Sequence, residues 1–160
     1  MTSFACSIRF ATFADAATIA DFNRRLAAET ENRELDSKTV TAGVESLLQQ
    51  DGSGFYLVAV SDRRVIGCLM ITYEWSDWRN GLFWWIQSVY VLAEFRRRGV
   101  FRELYLHAEE MARQLPGVCG LRLYVEHENE IARNTYSRLG MSQTPYQIYE
   151  KEFAEHERGA

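Results

Sequence analysis

Three consecutive arginines and a glycine, Arg96 to Gly99, stand between a β-rich run and an amphipathic helical pattern. The run before them, LFWWIQSVYV, is rich in β-branched and aromatic residues and ends at Val91. The first turn of a helix has N–H groups without partners, and its dipole favours anions. A glycine lets phosphate oxygens approach the backbone, and arginines add charge and donors. The pattern predicts a phosphate-bearing ligand here; a solvated arginine turn before a surface helix is the alternative.

The overall charge argues against a nucleic-acid function for these arginines. The chain of 160 residues has 18 Lys and Arg against 22 Asp and Glu, a net charge of −4, whereas nucleic-acid-binding domains are usually basic. It has no G-x-x-x-x-G-K-[ST] loop and no G-x-G-x-x-G after its first strand, which disfavours an NTPase or a dinucleotide fold. Cys6, Cys68 and Cys119 show no CxxC spacing, so we expect neither a disulfide framework nor a metal site.

No signal peptide and no apolar run of about 20 residues is visible, so we expect a cytoplasmic protein with no membrane partner.

The elements that must position the arginine turn alternate along one domain, residues 1–160, with a core over about 7–153 and a short charged C-terminal tail. This order predicts an α+β, or mixed α/β, fold. Strand patterns cover 7–13, 55–60, 64–75, 82–91, 121–126 and 146–153, and helical patterns cover 16–29, 37–50, 99–115 and 129–139.

Two segments, VYVLAEFRRRGVFREL at 89–104 and NEIARNTYSRLGM at 129–141, resemble motifs of the GNAT N-acetyltransferase superfamily. VYVLAEFRRRGVFREL, residues 89–104, is similar to its acyl-CoA-binding motif, [R/Q]-x-x-G-x-[G/A] between a strand and a helix. Arg96 and Gly99 match this motif, whereas Phe101 stands where the family has a small residue. Because two motifs occur in the family's order with a strand between them, the chain is identified as a member. NEIARNTYSRLGM resembles the downstream N-x-x-A-x-x-x-Y-x-x-x-G-[F/M] segment, with matches at Asn129, Ala132, Tyr136, Gly140 and Met141.

The resemblance implies a mostly antiparallel, twisted sheet of six to seven strands, flanked by about four helices and splayed between the fourth and fifth strands. Acetyl-CoA would bind at this splay as co-substrate, without a metal. N–H groups of residues 97–102 would hold the pyrophosphate, and the Val91 N–H would stabilise the oxyanion. The residues implied to hold the cofactor are Val89, Tyr90, Val91, Arg96, Arg97, Arg98, Gly99, Val100, Phe101, Arg102, Asn129 and Tyr136.

The implied reaction is direct acetyl transfer from a thioester to a primary amine in a ternary complex. Tyr136 would be the general acid that protonates the leaving thiolate, although packing on its helix face is the alternative. Asn129 would contact the cofactor, act as a helix N-cap, or do both. Glu74, at the end of the third strand, would be the general base; a solvated strand end, Glu126, Asp77 or a water relay are the alternatives.

Family members often build the acceptor pocket from the connection of the first two helices, the third-to-fourth strand loop and the last hairpin. Here these segments are acidic and aromatic, which suits a cationic amine on a small molecule or a peptide. Ordinary charged loops are the alternative. A homodimer is an open expectation, and the rival function is a catalytically silent acyl-CoA-binding or regulatory module. The residues implied for the acceptor are Glu29, Glu34, Trp75, Asp77 and Trp78.

Overall fold

The computed structural model of the protein describes residues 4–50 and 52–154. The chain divides into two compact units, one ending at Leu123 and the other beginning at Tyr124. The single domain expected from the sequence stays a prediction. Most of the charged C-terminal tail, residues 155–160, lies outside the described residues. Among the described residues, no helix is long and apolar enough to cross a membrane.

The first unit is built on a sheet whose strands lie in their order along the chain. Neighbouring strands are antiparallel except the last pair, which is parallel because a helix crosses over between them. The sheet consists of β1 (Ser7–Phe10), β2 (Gly54–Ser61), β3 (Arg64–Ser76), β4 (Gly81–Val91) and β5 (Val118–Arg122).

Three helices belong to the first unit: α1 (Ala16–Glu31), α2 (Ser37–Gln49) and α3 (Val100–Gln114). Asp36 caps α2, since its Oδ2 accepts the Thr39 N–H at 2.8 Å. The core lies between these helices and the central strands. It is filled by side chains with no exposed surface: Ile19, Leu57, Val58, Ile66, Leu69, Ile71 and Leu104.

The predicted α+β fold with four helices is confirmed, but the predicted number of strands is wrong. Five strands are present in the described part of the chain, rather than six to seven. β1 ends at Phe10 instead of residue 13, because Phe13–Asp15 form a 3₁₀ turn.

The fifth strand covers 118–122 instead of 121–126, and residues 146–153 form no strand. A β-prone run becomes a strand only where another edge pairs with it. Tyr146, Ile148, Tyr149 and Phe153 remain exposed.

Candidate active site

A β-bulge interrupts β4 close to its end. Between the paired positions Met70↔Gln87 and Cys68↔Tyr90, β4 has two residues where β3 has one. Ser88 is one of the two, and its φ of 49° lies in the left-handed region that non-glycine residues rarely adopt. The Cys68 thiol lies 3.5 Å from the Ser88 carbonyl oxygen, within sulfur hydrogen-bond range. Such a bulge bends the strand and redirects the backbone groups that follow it.

The end of β4 extends beyond its pairing with β5. That pairing runs from Leu82↔Val118 to Trp85↔Arg122, so six residues of β4, 86–91, follow the last pair. Leu92 donates its N–H to the Ile66 carbonyl on β3 at 2.9 Å. Because successive N–H groups of a strand point in opposite directions, the Val91 N–H points toward the β5 side of the sheet. This geometry suits the donor that the family resemblance implies at Val91.

The arginine turn follows directly and has the backbone of an anion-binding loop. Arg97 and Gly99 have positive φ values of 62° and 85°. The first hydrogen bond of α3 runs from the Glu103 N–H to the Gly99 carbonyl at 3.0 Å. Helix geometry therefore leaves the preceding N–H groups of the first turn without acceptors inside the helix. A Cβ built on Gly99 would meet nothing within 4 Å, so the space beside this residue is open.

The arginines of the turn have different surroundings. The Arg98 guanidinium lies 5.4 Å from the ring centre of Phe4 and 5.7 Å from that of Phe95. Arg96 donates hydrogen bonds to the Val91 carbonyl on β4 and to the Glu29 carboxylate on α1. Arg97 is exposed and has no hydrogen bond or ion pair to any described residue. The predicted phosphate-binding residues are thus adjacent in space, and Arg97 is the arginine with an uncommitted side chain.

Glu29 joins α1 to the end of β4. Its Oε1 accepts the Tyr90 hydroxyl at 2.9 Å, and its Oε2 pairs with Arg96 Nη2 at 2.6 Å. Burial alone would raise the pKa of Glu29, but the hydrogen bonds from Arg96 and Tyr90 outweigh it and lower that pKa. Burial, together with the Glu29 carboxylate, raises the pKa of Tyr90. Glu29, predicted for the acceptor, is therefore placed against the arginine turn.

Glu74 lies on the face of the sheet that carries α1. It alternates with Thr72 and Cys68 along β3, and the Cys68 partner Tyr90 packs its ring 5.1 Å from that of Phe22 in α1. The Glu74 carboxylate forms an ion pair with Arg122 at the end of β5.

The Arg122 guanidinium also lies 3.7 Å from the ring centre of Phe83, which is opposite Glu74 on β4. The predicted base thus has a cationic partner.

The remaining acceptor candidates lie on two separate segments. Trp75, Asp77 and Trp78 lie at the β3–β4 hairpin, where the Trp78 side chain is 85% exposed. Trp75 follows Glu74 in the strand, so the two side chains face opposite sides of the sheet. Glu34 is exposed in the connection between α1 and α2. Within the described residues, no hydrogen bond or ion pair joins the two segments.

The second unit contains the downstream motif on α4 (Glu130–Arg138). Asn129 caps this helix, because its Oδ1 accepts the Ala132 N–H at 3.1 Å. Burial raises the pKa of Tyr136 above its ordinary value of 10.0, so its phenol stays protonated at neutral pH. Gly140 follows the helix with a φ of 88°, which suits a C-terminal glycine.

Sequence reasoning missed Arg122 and the bulge at Ser88. Arg122 stands within the β-rich run LRLYVE, and only the pairing of β4 with β5 shows that it reaches Glu74. Ser88 has no glycine or asparagine signature for a positive φ, so nothing in the sequence indicated a bulge there. Among the described residues, no group of three or more His, Cys, Asp and Glu side chains could hold a metal ion.

Comparison with known proteins identifies the family of this chain. The model of the acetyltransferase (GNAT) family matches residues 19–141. The chain therefore belongs to the GNAT acetyltransferase family, a class of acyl-transfer proteins. A comparison with curated protein sequences finds no match.

A "possible acetyltransferase from Clostridium difficile 630" has a solved structure that is 45% identical, with a TM-score of 0.88 over 95% of this chain and 100% of that chain. Two more distant structures show the same fold. A ribosomal-protein-alanine N-acetyltransferase from Brucella melitensis biovar Abortus 2308 is 19% identical, with a TM-score of 0.74 over 94% of this chain and 100% of that chain. A transcriptional regulator from Bacillus halodurans C-125 is 19% identical, with a TM-score of 0.78 over 93% of this chain and 100% of that chain.

Proposed function

We propose that this protein transfers an acetyl group from acetyl-CoA to a primary amine by direct attack in a ternary complex. The observation that carries the proposal is the bulged end of β4. Its Val91 N–H points toward the β5 side, beyond the last β4–β5 pair, and the arginine turn follows within the same unit. A thioester carbonyl there would gain a backbone donor for its developing negative charge.

The residues of the turn fit an acyl-CoA pyrophosphate. Open space at Gly99, the positive φ at Arg97 and the first turn of α3 offer backbone donors, and the arginines add positive charge. The centre of the Phe101 ring lies 6.2 Å from that of the Tyr105 ring, one turn further along α3. Val89, Tyr90, Val100 and Arg102 complete the proposed cofactor contacts. Coenzyme A supplies the activated acetyl group and a thiolate leaving group; no metal is part of the proposal.

Proton transfer is assigned to Tyr136 and Glu74. Tyr136, on α4, would donate the proton that the leaving thiolate needs, and Asn129, the N-cap of that helix, would contact the cofactor. Glu74 would accept a proton from the attacking amine, directly or through water. The Glu74 carboxylate must then release Arg122, or bind Arg122 and the incoming amine at the same time. Glu126, Asp77 and a water relay are therefore the alternatives for the base.

The acceptor is proposed to be a cationic amine on a small molecule or a peptide. Glu34, Trp75, Asp77 and Trp78 are exposed and offer carboxylates and aromatic faces for it. The homodimer and the cytoplasmic location stay predictions.

One observation favours the rival function, a catalytically silent acyl-CoA-binding or regulatory module. Glu74 is already neutralised by Arg122, which a protein without a catalytic base could tolerate. A panel of amines, assayed for CoA thiol release from acetyl-CoA beside calorimetric acetyl-CoA binding, separates the two. Amine-dependent CoA release supports the enzyme. Tight acetyl-CoA binding with no release for any amine supports the silent module, and no binding at all would contradict both.

A further inference from the structure

We infer that Arg96, Glu29 and Tyr90 form a positioning cluster that links the end of α1 to the end of β4, and that Arg96 is not a phosphate ligand. The inference rests on the proposed function, because it concerns how the acetyl-CoA site is held in place. It assigns the arginines of one turn to different tasks. Arg96 positions the backbone, whereas Arg97 offers its charge to the pyrophosphate.

The guanidinium of Arg96 is fixed from three sides by the protein. Its Nε donates to the Val91 carbonyl at 2.9 Å, and its Nη2 donates to Glu29 at 2.6 Å. Its Cζ lies 5.3 Å from the centre of the Tyr90 ring. A planar guanidinium held in this way cannot turn toward a new anion without losing these contacts. Arg96 therefore acts on the two residues at the end of β4.

Stability alone does not account for the position of Glu29. The residue lies in the last turn of α1, where the helix dipole disfavours a carboxylate. Its ion pair with Arg96 is about half exposed, at 43% for each side chain, and such pairs contribute little to stability. Both carboxylate oxygens are nevertheless used, one by Tyr90 and one by Arg96. This arrangement fixes geometry more than it stabilises the fold.

The cluster holds the backbone on both sides of the proposed oxyanion donor. Tyr90 precedes Val91 and is bound through its hydroxyl, while Arg96 binds the carbonyl of Val91 itself. Glu29 stands two residues before the end of α1, after which the chain enters the segment that contains Glu34. Binding of CoA at the arginine turn would thus affect the proposed acceptor segment through the end of α1.

Arg97 is the matched contrast in the same turn. Its positive φ turns its side chain away from the direction taken by an ordinary strand residue, and it has no hydrogen bond or ion pair to any described residue. Replacing Arg97 removes charge from the turn without breaking a hydrogen bond or ion pair to a described residue. Replacing Arg96 removes equal charge and breaks the cluster.

Binding of CoA, titrated calorimetrically at several salt concentrations, tests the inference. We expect Arg97→Gln to weaken binding and reduce its salt dependence, because one charge that faces the phosphates is lost. We expect Arg96→Gln to weaken binding about threefold to tenfold, with the weakening persisting at high salt, as for the loss of a local coupling.

Glu29→Gln is the decisive variant, because it removes a negative charge near an anionic ligand. Simple electrostatics predicts tighter CoA binding, whereas loss of the positioning cluster predicts binding about threefold to tenfold weaker. The double variant Glu29→Gln/Arg96→Gln should bind no more weakly than the worse single variant. Tighter binding by Glu29→Gln, or a weakening in Arg96→Gln that disappears at high salt, would overturn the inference.

Hydrogen exchange provides a readout that a merely structural role would not move. In the wild type, saturating CoA should slow amide exchange in residues 28–33; Arg97→Gln should retain this effect at saturation, and Arg96→Gln should lose it. An effect that persists in Arg96→Gln contradicts the link to α1. A thermal melt of each variant checks that the variant is folded. If wild-type protein does not bind CoA, the proposed function fails; if it binds, these variants judge the positioning cluster alone.

Discussion

Among single residues, Tyr136 decides most directly whether the proposed chemistry can proceed. Burial raises its pKa above 10.0, so the phenol carries its proton throughout the neutral range. An acid that must donate its proton is active below its pKa and is lost only as the pH rises through it. Activity dependent on Tyr136 should therefore persist to pH values above 10.0.

Tyr136→Phe removes the proton but keeps the ring. We expect kcat to fall about a hundredfold or more, the range for loss of a general acid, with acetyl-CoA affinity nearly unchanged. Steady-state CoA release with an accepted amine gives kcat, and calorimetry gives the affinity. Unchanged turnover would remove Tyr136 from the chemistry and leave it a packing residue.

Asp15 supports a prediction about stability against pH. It is 7% exposed and accepts bonds from Arg9 at 2.8 and 3.1 Å and from the Thr12 N–H at 2.7 Å. The hydrogen bonds from Arg9, with those from Thr12, outweigh burial and hold its pKa below 3.8. A lowered pKa stabilises the fold above 3.8, and this stabilisation is lost as the pH falls through the folded-state value.

Asp15→Asn should reduce the free energy of unfolding at pH 7 by about 1–3 kcal/mol, because a buried, bonded group loses its charge. The difference between variant and wild type should begin to shrink below pH 3.8, and shrink further as the pH falls through the lowered folded-state pKa, where the folded wild-type carboxyl also becomes protonated. Urea unfolding of the variant and the wild type, at pH 7 and again below pH 3.8, measures this difference in the free energy of unfolding. Asp21→Asn is the matched control, since Asp21 forms only exposed pairs with Arg24 and Arg25. A loss of about 0–1 kcal/mol is expected there; equal losses would contradict the prediction.

At the scale of elements, the sequence predicts what depends on neighbours along the chain. The apolar stripe of α3 was predicted from its periodicity, and Leu104, Ala108 and Ala112 are buried. The turn at Gly99 was likewise predicted from local chemistry. The ion pairs Glu74–Arg122 and Glu29–Arg96 join residues 48 and 67 positions apart. Only the register of the sheet and the packing of α1 create them, so no local pattern could indicate them.

The predicted strand ends were wrong for the same reason, because they depend on residues distant in the sequence. Residues 123–126 and 146–153 have β-prone sequences, but a strand also needs an edge that accepts its hydrogen bonds. The bulge in β4 is a further example, because Ser88 adopts φ = 49° through its surroundings and not through its own preference.

Ser88→Val tests what the bulge does. A β-branched residue tolerates the left-handed region poorly, so we expect a loss of about 1–3 kcal/mol in stability. If the valine straightens β4 instead, the Val91 N–H is displaced and kcat should fall at least about tenfold. Ser88→Asn is the matched control, since asparagine adopts this region readily. Chemical denaturation and CoA release measure the two effects, and a fully active, fully stable Ser88→Val would show that the bulge is dispensable.

At the scale of the whole molecule, positive and negative charges are distributed unevenly. The chain is acidic, with a net charge of −4, yet arginines are concentrated in the turn from Arg96 to Arg102. The proposed anionic coenzyme would thus be attracted locally, whereas the proposed cationic acceptor would be attracted by the surrounding protein. This separation predicts that salt weakens the use of a doubly charged acceptor more than that of a singly charged one.

A diamine and an amino alcohol of equal length, compared at saturating acetyl-CoA, test this last expectation. The diamine should have a kcat/KM at least about threefold higher at low salt, and the preference should fade as the Debye length shrinks from about 30 Å at 0.01 M toward about 3 Å at 1 M. Glu34→Gln should lower the preference, because it removes a carboxylate from the proposed acceptor segment. Glu110→Gln changes the net charge equally but lies on α3, so it should leave the preference intact. A salt-independent preference, or equal effects of the two variants, would show that acceptor charge is not read at Glu34.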